Sequence, residues 1–197
     1  TGLDFAAAND ALVTLGIQPT RPDTGYGYIQ FETAGTGDGV HKVRRFAEKP
    51  NLATAEAFLE SQEYLWNAGI FIWSIKSVLA AFESLSPEIH AMLAEGKDVY
   101  NTDQEQAFIN RRYPETPNIS VDFAIMEKAP NVYTMPAEVG WSDLGTWASL
   151  HAECPKDEAG NVVNTNNAIL VDASDNLIRI SDAGKLVVIK GLDNFMV

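Results

Sequence analysis

Several features are scarce or absent in this chain, and each excludes a class of protein. Cys154 is the only cysteine, so an internal disulfide is excluded, which fits a reducing cytoplasm. No apolar run approaches the ~20 residues that a membrane-spanning helix needs. Basic residues number 14 against 27 acidic ones, and the net charge of −13 makes nucleic acid or an anionic membrane a poor partner. We therefore predict a cytoplasmic protein that binds neither nucleic acid nor membrane.

Apolar residues are abundant enough for a folded core, since they make up 46% of the 197 residues. Mixed strand and helix patterns over residues 1–158 predict an α/β layered domain. The helical patterns end near Pro155, and three apolar runs follow at a spacing of about nine residues. They predict the first coils of a β-solenoid, or a small β-meander, over residues 159–197.

Local patterns place the individual elements of the first domain. Apolar runs and turn residues predict strands over residues 11–17, 26–33, 40–46, 69–74 and 131–135. Helices are predicted to begin near residues 52, 74, 86, 102, 120 and 144. The start near Ser74 depends on the helical spacing of the apolar residues that follow it. Three other starts depend on capping signals, namely Ser86 with Pro87, a capping box over residues 102–105, and Ser120.

Three short blocks carry the strongest functional signal, because each places polar side chains among aromatic and small residues. They are residues 46–50 (Phe-Ala-Glu-Lys-Pro), 66–71 (Trp-Asn-Ala-Gly-Ile-Phe) and 141–147 (Trp-Ser-Asp-Leu-Gly-Thr-Trp). A carboxylate beside an ammonium suits a sugar phosphate. Glu48 can accept hydrogen bonds from hydroxyls, and Lys49 can meet the phosphate as a point charge.

Each polar residue also has a simpler interpretation when it is taken alone. Glu48 and Lys49 can form a solvated ion pair at a strand end, and Asn67 can make a turn. Asp122 can be an acid favoured in the first turn of a helix. Asp143 can be the N-cap of the helix predicted from residue 144, or a ligand of a hard cation.

Two glycine-rich stretches precede these blocks. Gly27 lies in a turn before a strand, where it either permits a positive φ or lets the backbone approach a ligand closely. Residues 35–39 (Gly-Thr-Gly-Asp-Gly) lack the Lys-Ser/Thr and the helix that a phosphate-binding loop needs, so we interpret them as a hairpin tip.

Taken together, five motifs resemble the bacterial mannose-1-phosphate guanylyltransferases of the sugar-nucleotidyltransferase superfamily. The motifs are Gly-Tyr-Gly-Tyr-Ile, Phe-x-Glu-Lys-Pro, Trp-Asn-x-Gly-Ile-Phe, Ser-Val-Asp-Phe-Ala-Ile-Met-Glu-Lys and Trp-Ser-Asp-Leu-Gly-Thr-Trp. The resemblance runs from about Leu12 to the end of the chain. It implies an α/β fold, namely an incomplete Rossmann-like nucleotide-diphospho-sugar transferase domain followed by the start of a β-helix-like domain.

The resemblance also implies roles for individual residues. Gly27 is expected to approach the sugar, Glu48 to bind mannose hydroxyls and Lys49 to bind the sugar phosphate. Asn67 is expected to line the sugar pocket, and Asp122 to border it. Lys49 is thereby also a candidate catalytic residue, since it would hold the attacking phosphate.

Asp143 is expected, from the same resemblance, to ligate Mg²⁺ and to be the second candidate catalytic residue. The implied reaction is GTP + α-D-mannose 1-phosphate → GDP-mannose + diphosphate. Two alternatives stay open at this stage. One is another sugar-1-phosphate nucleotidyltransferase, and the other is a non-catalytic module that binds sugar phosphates or serves in assembly.

Two departures from the family pattern matter. Ala68 stands where the family usually has Ser, which is a mild change beside the pocket. The family's N-terminal half, with a Gly-rich, Arg-containing loop for the GTP phosphates and a second metal-binding Asp, has no counterpart here. Because the chain also begins at Thr1, we expect a fragment that is inactive alone and that self-associates through exposed sheet edges.

Overall fold

A computed structural model describes residues 1–35, 37, 39–182 and 184–197. Two of the five residues interpreted as a hairpin tip, at positions 36 and 38, lie outside the described part. The chain divides into two compact units, Thr1–Val139 and Gly140–Val197, called here the first and second unit. The boundary predicted after residue 158 falls inside the second unit, because the change in composition marks the end of the helices.

The described residues of the first unit form five strands and five α-helices. The strands are β1 (Leu12–Ile17), β2 (Tyr28–Phe31), β3 (His41–Ala47), β4 (Tyr64–Trp73) and β5 (Val132–Pro136). The helices are α1 (Gly2–Ala8), α2 (Leu52–Ser61), α3 (Ile75–Leu85), α4 (Pro87–Ala94) and α5 (Glu105–Arg112). None of the helices in the described part of the chain is both long enough and apolar enough to cross a membrane.

The five strands form a closed barrel, called here the ring of strands, in the order β1-β4-β2-β3-β5. Only the β1–β5 pairing that closes the ring is parallel, and the other four are antiparallel. These strands therefore do not form the doubly wound parallel sheet that a Rossmann-like arrangement implies. The α/β character predicted from the sequence is confirmed, because helices cover the strands.

Apolar side chains from both faces of the strands are buried. One cluster joins β1 to α3 and to the segment around residues 121–129, and its fully buried members include Leu12, Ile29 and Ile125. Successive residues of β1 point to opposite faces of a strand, so Val13 packs with Phe5 of α1 in a second cluster. This packing fixes β1 from both sides and makes it a rigid support for polar residues.

Some predicted helix starts are confirmed and others are wrong. The start predicted near Ser74 is confirmed, because α3 begins at Ile75 and Ser74 caps it by accepting from the backbone amide of Ser77. The capping box over residues 102–105 is wrong, because Glu105 accepts from the amide of Asn101 and α5 begins only at Glu105. The side chain of Ser86 makes no capping bond, although α4 does begin at Pro87.

The helix predicted from Ser120 to Lys128 is replaced by a single π-helical turn over Asp122–Met126. The amide of Glu127 donates to the carbonyl of Asp122, five residues before it. The N-cap is Val121, so Ser120 does not cap this turn. π-Helical turns are rare, and they are frequent at functional sites.

The described residues of the second unit form one helix and four short strands. The elements are α6 (Trp147–Glu153), β6 (Val162–Val163), β7 (Ala168–Val171), β8 (Leu177–Ile178) and β9 (Val187–Lys190). β6 pairs with β8 and β7 with β9, in both cases in parallel. The β-meander alternative is wrong, because a meander joins consecutive strands antiparallel. The β-helix-like interpretation stays a prediction.

Candidate functional site

Glu48 and Lys49 form a tight turn immediately after β3. Lys49 has a φ of 46°, in the left-handed region that is uncommon for a residue with a side chain. The turn sends the two side chains to different environments: the side chain of Lys49 is 59% exposed, and that of Glu48 only 7%. Their charged groups still meet, with 3.3 Å between Lys49 Nζ and Glu48 Oε1. The turn thus presents a buried carboxylate beside an accessible ammonium.

The second oxygen of Glu48, Oε2, is buried and has no hydrogen-bond partner among the described residues. It lies against Gly27, where a Cβ atom would come within 2.5 Å of it. Gly27 therefore leaves the space that the carboxylate fills, which is a reason for glycine at this position. A buried acceptor without a partner is costly in a folded protein, so its presence points to a ligand.

Burial raises the pKa of Glu48, and the nearby carboxylate of Asp122 raises it further. The hydrogen bond and the charge of Lys49 act in the opposite direction, and the charge of Glu127 again raises the pKa. A ligand that donates hydrogen bonds to the carboxylate, or that brings a cation, would relieve this cost.

Asn67 lies inside β4, at an irregularity in the pairing with β1. Between Thr14 and Gly16 of β1 the register advances four residues on β4, from Phe71 to Asn67. The extra residues form a bulge in which Gly69 has a φ of 68°. Bulges occur next to active sites because they redirect a side chain. The interpretation of Asn67 as a turn residue at a strand start is wrong, because β4 already begins at Tyr64.

The carboxamide of Asn67 is bonded at both ends. Its Oδ1 accepts from Thr14 Oγ1 at 2.7 Å and from the amide of Gly69 at 3.2 Å. Its Nδ2 donates to Asp122 Oδ1 at 3.0 Å. An amide nitrogen carries two hydrogens, so one hydrogen of Asn67 has no acceptor among these bonds.

The π-helical turn brings Asp122 and Glu127 to the same site. Asp122 binds Asn67, and Glu127 Oε1 accepts from the backbone amide of Glu48 at 2.9 Å. In an α-helix, residues five apart point about 140° away from each other. The wider π-turn reduces that angle, so one short segment can brace both the Asn67 bulge and the Glu48 turn.

The structure thus brings together all the site residues predicted for the first unit: Gly27, Glu48, Lys49, Asn67 and Asp122. Sequence reasoning missed Thr14 and Glu127 as members of the site. Glu127 belongs to one of the quoted motifs, and its charge was a usable signal. Thr14 lies within an apolar run, where its hydroxyl was the only signal.

Asp143 belongs to the second unit and lies in an exposed loop before α6. The N-cap interpretation of Asp143 is wrong, because Thr146 caps α6 in a capping box with Ser149. Leu144 takes a φ of 49°, and a Cβ on Gly145 would lie 2.4 Å from Asp143 Oδ2. The carboxylate of Asp143 therefore lies against Gly145, in space that a larger residue at position 145 would occupy.

An exposed carboxylate of this kind fits one part of a Mg²⁺ site. Mg²⁺ is usually held by one or two carboxylates together with substrate phosphates and water. Within the part of the chain that the structure describes, no three His, Cys, Asp or Glu side chains form a group that could hold a metal. The described residues would thus supply Asp143 and at most one further side chain of these types, and the rest of the coordination would come from phosphate, water or protein outside this chain.

Comparison with known proteins points to one family. A family model described as nucleotidyl transferase matches residues 2–160. The chain is 40% identical over 192 residues to a mannose-1-phosphate guanylyltransferase of Klebsiella pneumoniae, in a match that covers 94% of this chain and 40% of that protein. It is 35% identical over 193 residues to the xanthan biosynthesis protein XanB of Xanthomonas campestris pv. campestris strain B100, at 98% and 40% coverage.

A solved structure is also similar, namely a crystal structure described as mannose-1-phosphate geranyltransferase from Thermus thermophilus. The TM-score is 0.78 at 27% identity, over 97% of this chain and 53% of that one. The chain therefore spans about 40% of the length of these two curated relatives and about half of the solved chain.

Proposed function

The chain belongs to the nucleotidyl transferase family, and we propose that it supplies the sugar-phosphate pocket of a mannose-1-phosphate guanylyltransferase. The reaction is GTP + α-D-mannose 1-phosphate → GDP-mannose + diphosphate. One observation carries the proposal: a buried, unpartnered carboxylate oxygen of Glu48 lies beside the accessible ammonium of Lys49. The names of the relatives support mannose 1-phosphate as the sugar phosphate.

Each polar group in the pocket has a match on a sugar phosphate. The side chain of Glu48 keeps 7% of its surface exposed, and rotation of its carboxylate brings Oε2 to a sugar hydroxyl, which supplies the missing partner of this oxygen. The remaining Nδ2 hydrogen of Asn67 is donated to a sugar oxygen. Lys49 meets the phosphate, and in a chain with a net charge of −13 this local cation offsets an unfavourable overall field.

The chemistry needs positioning more than a nucleophile from the protein. A phosphate oxygen of mannose 1-phosphate forms a bond to the α-phosphorus of GTP, and the bond from that phosphorus to the bridging oxygen of diphosphate breaks. Lys49 holds the attacking phosphate in place and reduces its repulsion with the triphosphate. Mg²⁺ held by Asp143, when bound, would supply further neutralisation of the phosphate charges.

The contacts to GTP are assigned to protein outside this chain. A Gly-rich, Arg-containing loop and a second metal-binding Asp would complete the nucleotide site. We therefore expect this chain alone to form no GDP-mannose. Because the strands of the first unit close on themselves, self-association of the separate chain would use exposed apolar side chains such as Ile75 and Leu79, and not the open sheet edge expected from the sequence.

The proposal is tested by steady-state kinetics on the full-length protein, with mannose 1-phosphate, glucose 1-phosphate and GTP as varied substrates. Lys49→Ala should raise the KM for mannose 1-phosphate roughly 10- to 150-fold, because a charge-assisted hydrogen bond is lost. Lys76→Ala is the matched control, since Lys76 is an exposed lysine on α3. Unchanged kinetics of Lys49→Ala, or a preference for glucose 1-phosphate, would contradict the proposal.

A further inference from the structure

Thr14 lies in the middle of β1 and is fully buried, with 0% of its surface exposed. Its hydroxyl oxygen is 2.7 Å from Asn67 Oδ1 and 3.3 Å from the carbonyl oxygen of Ile70. Both atoms belong to the bulged part of β4. A side chain without exposed surface cannot contact a sugar, so any effect of Thr14 on binding must pass through its neighbours.

The hydrogen bonds around Asn67 determine which way its carboxamide faces. The amide of Gly69 can only donate, so the Asn67 atom facing it must be the oxygen. A carboxylate oxygen such as Asp122 Oδ1 accepts, so the Asn67 atom facing it must be the nitrogen. Thr14 Oγ1 therefore faces the oxygen and donates its single hydrogen to it.

We propose that Thr14 is a positioning residue for the sugar pocket, and this inference rests on the proposed function. The Thr14 hydroxyl donates a hydrogen bond to the carboxamide oxygen of Asn67 and so holds that oxygen on the side of β1. That orientation leaves Nδ2 with one hydrogen on Asp122 and directs the other toward the sugar. Without the Thr14 bond, the oxygen keeps only the longer bond from Gly69, and the side chain can rotate away from the sugar-binding orientation.

Thr134 offers a matched control within the same ring of strands. It is the register partner of Thr14 on β5, and it is also fully buried. Its hydroxyl, unlike that of Thr14, has no hydrogen-bond partner among the described residues. The same substitution at the two positions therefore makes the same change in shape but removes a hydrogen bond only at Thr14.

The test is steady-state kinetics on the full-length protein with Thr14→Val, Thr14→Ser, Thr134→Val and Asn67→Ala. Thr14→Val should raise the KM for mannose 1-phosphate roughly 3- to 10-fold, as expected for one lost hydrogen bond. The KM for GTP should stay unchanged, which a general structural defect would not produce. Thr14→Ser should restore the wild-type KM because it keeps the hydroxyl, and Thr134→Val should behave like wild type.

If Thr14→Val does not fold, Thr14→Cys carries the same expectation, because a thiol is only a weak donor. A normal KM for the Thr14 variant together with a raised KM for Asn67→Ala would overturn this inference alone. Equal increases in the KM for mannose 1-phosphate and the KM for GTP in Thr14→Val would overturn it as well. So would a raised KM for mannose 1-phosphate in Thr14→Ser. A normal KM for Asn67→Ala would overturn the proposed pocket and this inference with it.

Discussion

In the first unit the buried carboxylate of Glu48 keeps one oxygen without a partner, whereas in the second unit the buried carboxamides of Asn161 and Asn176 are bonded at both ends. Asn161 Oδ1 accepts from the backbone amide and the Nδ2 of Asn176, and its Nδ2 donates to the side chain of Asp157. Asn176 in turn donates to one backbone carbonyl and accepts from one backbone amide.

The difference separates two uses of buried polar side chains. The asparagines of the second unit join successive chain segments to one another, so their hydrogen-bonding capacity serves the fold. Glu48 and Asn67 in the first unit are held in place by the protein, but each keeps one hydrogen-bonding position open. A buried group of the second kind lowers stability until something binds it. Thr134 shows that an unpartnered atom alone does not mark a site, and what distinguishes Glu48 is the accessible ammonium of Lys49 beside it.

Asp143 differs from the asparagines of the second unit, because its proposed role is in catalysis and not in the fold. Its substitution should have the largest effect of any predicted substitution. In the full-length protein, Asp143→Asn should lower kcat for GDP-mannose formation roughly 100- to 1000-fold, the range seen when one group that stabilises charge in the transition state is removed. The Mg²⁺ concentration needed for half-maximal rate should rise.

The control for Asp143 is Glu158→Gln, which removes another exposed charge of the second unit. Thr146 and not Asp143 caps α6, so the fold should be unaffected by Asp143→Asn. Wild-type kcat with an unchanged Mg²⁺ dependence would show that Asp143 is not a metal ligand.

A substitution in the pair Asn161 and Asn176 should act on the stability of the second unit and not on the reaction rate. Asn176→Ala removes the partners of Asn161 and of the Phe195 amide, and buried polar groups that lose partners cost about 1–3 kcal/mol each. We expect the free energy of unfolding of the second unit to fall by about 2–4 kcal/mol. Urea denaturation followed by circular dichroism measures this, with the exposed Asn166→Ala as control. Equal stability of both variants would mean that the pair does not stabilise the unit.

Glu48→Gln should produce the smallest change in the free energy of unfolding, and unlike Asn176→Ala it should raise this free energy. The pKa of Glu48 is raised by burial, so the folded state holds a proton over a pH range where the unfolded state has lost it. The free energy of unfolding therefore falls as pH rises from the ordinary carboxylate pKa through the raised one. Glutamine does not titrate, so the variant should gain stability relative to wild type as pH rises from about pH 4 through the raised pKa. A pH-independent difference would contradict this.

Much of the first unit could be predicted from its sequence because its elements carry local signals. The apolar, β-branched run of residues 11–17 and the helical spacing of apolar residues after Ser74 are both visible among neighbours in the chain. The π-helical turn at Asp122–Met126 could not be predicted, since its geometry comes from packing of Ala124, Ile125 and Met126 into the core. The parallel pairing of β7 with β9 skips β8, and spacing alone does not reveal that.

The site shows the same division between local and long-range information. Glu48, Asn67 and Asp122, which lie together in the structure, could be chosen from the sequence because each belongs to a motif of the family that the chain resembles. Asp143 stays a predicted metal ligand, and its interpretation as an N-cap is wrong because the capping box forms at Thr146, three residues on. Thr14 was missed because its partner lies 53 residues away. No pattern in a single sequence brings those two side chains together.

The measurement that tests the central claim most directly is isothermal titration of mannose 1-phosphate into full-length wild type and Glu48→Gln. If the open oxygen of Glu48 is a sugar acceptor, the variant should bind roughly 10- to 150-fold more weakly, since a charge-assisted bond is lost. Its stability without ligand should nevertheless be equal to or higher than that of wild type. Unchanged affinity in a folded Glu48→Gln variant would contradict the account.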